Sequence, residues 1–149
     1  MKNILRLLFI SALFAVAAQA KTLVNSSWTN LAIQGYDAVA FFSDSKPLKG
    51  SSDFTATYEG ATYRFASAAH RDAFIASPAK YAPAFGGYCA YGVAKGAAVS
   101  VEIETWQIID GRLILNYDAD VSKKFNADRA GFLKTADQNW SGLVEQKGK

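Results

Sequence analysis

Phe54-Thr55-Ala56-Thr57-Tyr58-Glu59-Gly60-Ala61-Thr62-Tyr63-Arg64-Phe65 decides the fold class. Phe54, Ala56 and Tyr58 alternate with Thr55 and Thr57, the period of a half-buried strand. Glu59-Gly60 is a two-residue turn, and Thr62-Tyr63-Arg64-Phe65 returns as the second strand of a hairpin. Trp106-Gln107-Ile108-Ile109, Asp110-Gly111 and Arg112 to Tyr117 repeat the pattern further on. Between and after the hairpins the signals are helical. Ser67 is placed to cap a helix from Ala68 to about Ala76, and Pro78 favours the first turn of a short second one. Asp118 begins a third helix running to about Phe125, and a fourth spans roughly Asp128 to Asp137. Hairpins mixed with helices, rather than strictly alternating with them, predict an α+β fold. The expected form is a small antiparallel sheet built from hairpins and packed against several short helices in a single domain.

The intervening segments are read from their punctuation. Lys21 to Asn30 is polar with one tryptophan, Trp28, and reads as a loosely held lead-in. Val39-Ala40-Phe41-Phe42 reads as a buried strand entered through Gly35-Tyr36-Asp37. Ser43 to Gly50 and Val93 to Glu104 read as loops. Glu102 and Glu104 would share a face on a strand, but in a loop they offer no paired acid/base chemistry. The tail from Glu145 to Lys149 is expected to fray.

Residues 1–20 read as a secretory signal peptide. Lys2 and Arg6 form a positive start, Leu7 to Ala18 an apolar run, and Ala18-Gln19-Ala20 a small-x-small cleavage pattern. The run is short for a membrane span, so a periplasmic or secreted location is expected, with no membrane span left after cleavage. The 16 Lys and Arg less Lys2 and Arg6 leave 14 against 13 Asp and Glu, a net charge of +1. No basic cluster remains that would track a phosphate backbone, so no nucleic-acid partner is expected. One cysteine forms no internal disulfide. In an oxidising compartment it is buried, ligated or paired with another chain.

That cysteine stands in Phe85-Gly86-Gly87-Tyr88-Cys89-Ala90-Tyr91-Gly92. Two glycines and two tyrosines make either a turn that delivers Cys89 to a site or a well-packed corner. Cys89 taken alone is most simply a small buried hydrophobe under Tyr88 and Tyr91. As a nucleophile it needs a base, and His70 is the only imidazole in the chain. Asp37 or Asn116 would then orient that ring. Asp37 on its own is equally a turn residue accepting backbone hydrogen bonds. Trp106, Tyr117 and Trp140 read as core.

Gly35-Tyr36-Asp37-Ala38-Val39-Ala40-Phe41-Phe42, Tyr63-Arg64-Phe65-Ala66-Ser67 and Phe74 with Ser77-Pro78-Ala79-Lys80-Tyr81 resemble the YHS domain. Gly86 to Tyr91, Trp106 with Ile109-Asp110-Gly111, Leu115-Asn116-Tyr117 and Asn139-Trp140 are similar to its secreted, single-domain bacterial branch. Residues 21–149 would then form one YHS-type domain. The resemblance implies a link to transition metals, copper first. It also shows departures. Where metal-handling members carry two cysteines after Tyr-x-Phe, this chain has Ala66 and His70, and the Gly35 to Phe42 segment has no cysteine.

Three functional expectations follow. The first is binding or handling of a small ligand or a transition metal, with copper on Cys89 and His70 and Asp37 nearby. The competing reading of His70 is an ordinary polar-edge residue beside Phe74. One Cys and one His exclude a closed Cys/His zinc site. The second is a non-catalytic partner- or ligand-binding module whose aromatic pocket uses Tyr88 and Tyr91. The third is a thiol-dependent enzyme using Cys89.

Overall fold

The computed structural model describes residues 19–149, so most of the expected signal peptide lies outside the described residues. Among them are six α-helices and two antiparallel two-stranded sheets in one α+β arrangement. Strand β1 (Ser51–Tyr58) pairs with β2 (Ala61–Phe65). Glu59 and Gly60 both have positive φ, 49° and 78°, and this turn twists with the strands. The alternation is as read: Ala61, Tyr63 and Phe65 are buried, and Phe54, Ala56 and Tyr58 are half-buried. Strand β3 (Glu102–Ile109) pairs with β4 (Arg112–Asn116) around Asp110 and Gly111, whose φ values are 51° and 74°. The expected single sheet is therefore two separate ribbons.

Strand β4 has no solvent face along Leu113-Ile114-Leu115-Asn116. Leu113 and Leu115 point into one core with Phe41, Tyr63, Phe65, Phe74 and Ile103. Ile114 points into a second with Phe85, Val93, Phe125, Leu133 and Leu143. Side chains alternate across a strand, so β4 is the wall shared by both cores.

Val39–Phe42 is not a strand. Ala40–Ser43 forms α1, a single helical turn. The cause is Asp37, whose Oδ1 accepts from the N–H of Val39 at 2.9 Å and of Ala40 at 3.2 Å. A carboxylate that satisfies free N–H groups at a helix start favours helix over an extended chain.

Helix α2 (Ala68–Ala76) begins at Ser67, whose Oγ accepts from His70 N at 3.1 Å. It is fixed to the first hairpin by Phe74, whose ring lies 5.9, 4.7 and 5.0 Å from those of Tyr58, Tyr63 and Phe65. Helix α3 (Pro78–Tyr81) follows, then a 3-10 turn at Ala84–Gly87. Helix α4 (Ala90–Ala94) takes in Val93 and Ala94 at the start of the loop expected from Val93 to Glu104, and β3 begins at Glu102 within its far end. Glu102 and Glu104 thus lie on one strand, both exposed. Helices α5 (Ala119–Ala127) and α6 (Arg129–Lys147) complete the chain. Asp118 and Asp128 cap them through contacts of 2.8 Å to Val121 N and 3.1 Å to Gly131 N. Helix α6 runs ten residues past the expected Asp137, because Leu143 is buried and Val144 packs against the second core. No helix among the described residues is long and apolar enough to cross a membrane.

Both chain ends of the described region are held. Thr22 and Lys149 exchange two backbone hydrogen bonds, at 3.1 and 3.0 Å, so the tail does not fray as expected. Asn25 N donates to Gly86 O at 2.8 Å. Gly86 sits at φ 57°, and a Cβ there would lie 2.0 Å from Leu23 O. Gly86→Ala is expected to cost about 1–2 kcal/mol from the left-handed backbone alone, plus the displacement of Leu23. Urea unfolding should show a lowered midpoint with an unchanged slope.

Candidate functional site: a carboxylate-anchored histidine

Asp37 is fully buried. Its Oδ1 caps α1, and its Oδ2 accepts from Ala66 N at 2.8 Å, just before α2. The same Oδ2 lies 2.6 Å from His70 Nδ1. Three backbone N–H groups from two segments therefore fix the carboxylate, and the carboxylate fixes the ring. Since Oδ2 is an acceptor, Nδ1 carries the proton, and the neutral ring has its lone pair on Nε2.

Nε2 points to Asp44 and Ser43. The His70 side chain is 21% exposed, and Nε2 lies 3.4 Å from Asp44 Oδ2, whose side chain is 36% exposed. Ser43 Oγ is 3.3 Å from Nε2. Asp37, Ser43 and Asp44 come from α1 and its flanks, and His70 comes from the first turn of α2. The first core holds these two short helices together through Phe41 and Phe74.

Asp37, Ser43 and His70 line up as carboxylate, imidazole and hydroxyl, an order that supports proton transfer when the hydroxyl donates to the ring. Here the single Ser43 proton has nearer acceptors, Asp44 Oδ2 at 2.8 Å and Val39 O at 3.1 Å. Ser43 is thus not primed as a nucleophile. What remains is the pair formed by Nε2 and Asp44 Oδ2, the oxygen that also accepts from Ser43 Oγ.

Cys89 lies elsewhere. It is 1% exposed, and its Sγ accepts from Gly92 N at 3.3 Å and donates to Asn116 Oδ1 at 3.6 Å. Tyr91 N donates to the same Oδ1 at 3.2 Å. No hydrogen bond joins Cys89 to His70, and the two share no partner. The turn at Gly86-Gly87 does not open the sulfur to a cavity. It leads the chain into α4, whose N-terminal cap is Cys89 itself. Asn116 carries the only buried side-chain polar atom among the described residues without a partner, its Nδ2. Burial pushes the Cys89 thiol up, against the opposing pull of neighbouring backbone N–H groups.

A measurable consequence follows. Native Cys89 should resist alkylation and react fully in denaturant, because the thiolate is the reactive form. The folded state keeps a proton that the unfolded chain releases near pH 8.5. Stability is therefore full below that pH and should fall as pH rises above it, by at most about 1.4 kcal/mol per pH unit. Burial also raises Tyr58, Tyr63 and Tyr88. Those groups act only above about pH 10, so the first part of the decline belongs to Cys89. Urea unfolding across this range should show it, with Cys89→Ala abolishing the early slope.

Tyr91 is half-buried, its ring 4.9 Å from that of Phe132. Tyr88 stands 6.5 Å from Trp140 and lines a cleft with Trp28 and Glu59. The two tyrosines therefore line no common pocket. Tyr117 is 48% exposed rather than core. Among the described residues, no three His, Cys, Asp or Glu side chains are disposed around one point as a metal centre. Sequence reasoning named His70 and Asp37 but missed Asp44 and Ser43. Both fall in the segment expected to be a loop, although Ser43 ends the helical turn that Asp37 caps and Asp44 directly follows it.

No family model, no curated protein and no solved structure matches the chain.

Proposed function

We propose that this chain is an exported, YHS-type domain that binds a divalent transition-metal ion, copper first, through His70 Nε2 and Asp44. The observation that carries this reading is the 3.4 Å between Nε2 and Asp44 Oδ2, with the opposite ring nitrogen tied to buried Asp37. Two donors about 2.0–2.2 Å from a tetrahedral ion stand about 3.3–3.5 Å apart. A square cupric site needs only about half an ångström less, within reach of a rotation of the exposed Asp44 side chain. A buried carboxylate on the far nitrogen is the usual support of a ligating imidazole, because it fixes the tautomer and raises the ring's basicity. Water or a further ligand would complete the ion's coordination. Imidazole and carboxylate suit copper and zinc, and divalent copper is held more tightly by a given nitrogen–oxygen set.

The proposal moves the metal away from Cys89. That thiol is sealed, hydrogen-bonded and held in its protonated form by burial. Tag-free protein should take up one equivalent of Cu(II) in competition with a chromophoric chelator. His70→Ala should lose uptake, Asp44→Asn should weaken it about tenfold, and Cys89→Ala should leave it unchanged. Absence of uptake, or loss of uptake on removing Cys89, would end the proposal.

A further inference from the structure

Trp28 is 98% exposed, the most exposed large apolar side chain among the described residues. A lone exposed apolar residue is ordinary, but the Trp28 loop is tightly built and lies beside a cleft. Ser26 bridges to Ala32, Ser27 N donates to Leu31 O at 3.0 Å, and Asn30 N donates to Ser27 O at 2.8 Å. Asn30 holds φ 62°, a conformation most residues avoid, and its side-chain amide bonds Gly60 O. Thr62 N then donates to Asn30 O at 2.9 Å. The lead-in expected to be loose is therefore a pinned turn that presents an indole to water.

Beside that indole is a cleft of about 1000 Å³, between this turn, the Glu59-Gly60 turn and the end of α6. Its walls mix polar side chains with Leu23, Val24, Ala61 and Ala98. Ser26, Glu59 and Lys147 supply a hydroxyl, a carboxylate and an ammonium, and Tyr88 adds a second aromatic ring. None of its residues belongs to the Asp37–His70 cluster.

We propose that this cleft binds a carbohydrate, with one pyranose ring stacked on Trp28. A sugar ring has an apolar C–H face and a rim of hydroxyls. It calls for a flat, accessible aromatic surface flanked by hydrogen-bonding groups of both kinds. The cleft offers that combination. Ser26, Asn30, Glu59 and Lys147 set polar groups among the apolar ones, which suits a sugar's hydroxyl rim better than a lipid chain.

The test uses metal-free protein and two β-linked probes, cellohexaose and chitohexaose. Titration of either should shift the Trp28 indole N–H signal in heteronuclear NMR, with millimolar affinity. Trp28→Ala should weaken binding by about tenfold or more. It should leave the melting temperature unchanged, because the side chain is almost wholly in solvent. Glu59→Gln gives a second, milder loss at the rim. The proposal is overturned if neither probe moves the Trp28 signal, if Trp28→Ala binds as well as the parent, or if Trp28 responds only to phosphatidylglycerol vesicles.

Discussion

Asp37→Ala is expected to remove about 3–5 kcal/mol of stability. Three backbone N–H groups, those of Val39, Ala40 and Ala66, lose their acceptor together. Each unsatisfied buried donor costs about 1–3 kcal/mol, and water entering the gap recovers part of the sum. Typical domains are stable by only about 5–15 kcal/mol, so the variant should unfold well below the parent's urea midpoint. Asp37→Asn separates the two tasks of this residue. Its oxygen can still cap α1, so it should cost less, about 1–3 kcal/mol. Its amide, however, donates where Oδ2 accepted. It would turn Nδ1 into an acceptor and leave the proton on Nε2. An imidazole in that tautomer has no lone pair facing Asp44. The Asn variant should therefore fold and yet fail to take up copper, a result that a purely structural role for Asp37 does not predict.

Phe74→Ala is expected to be about as damaging, at about 3–5 kcal/mol for a buried phenyl. Phe74 is 1% exposed and touches the rings of Tyr58, Tyr63 and Phe65. It is the one buried residue of α2, so the whole helix hangs on it. The loss should appear first as faster amide exchange in α2, before the β3–β4 ribbon responds. His70 rides on the same helix, so copper affinity should fall with helix order even though no ligand is altered. If α2 and the second ribbon lost protection together, the two cores would be one cooperative unit, and the site would not depend on α2 alone.

The hairpins were legible because they depend on local chemistry. Turns at Glu59-Gly60 and Asp110-Gly111 need positive φ, and the flanking residues alternate. The caps at Ser67 and Asp118 were legible for the same reason. Val39–Phe42 was not, since an apolar run of four reads as strand until the Asp37 side chain is known to fold back onto Val39 and Ala40. The length of α6 was hidden because Leu143 and Trp140 find their partners, such as Phe85, far away in sequence. The same distance effect hid the site. Asp37 and His70 are 33 residues apart, and only the packing of two short helices brings them together. Cys89 drew attention as the sole cysteine, but being the only one of its kind says nothing about exposure. Trp28 falls in a segment that reads as loose because the anchors of its turn, Gly60 and Thr62, bond Asn30 from the first hairpin.

On the proposed reading, the His70 imidazole, oriented by buried Asp37, ligates the ion together with Asp44. Pulsed electron paramagnetic resonance on tag-free protein loaded with one equivalent of Cu(II) tests it directly. The account predicts modulation from the remote nitrogen of a single coordinated imidazole, absent in His70→Ala and intact in Cys89→Ala. A spectrum without that modulation, or one that His70→Ala leaves unchanged, would contradict it.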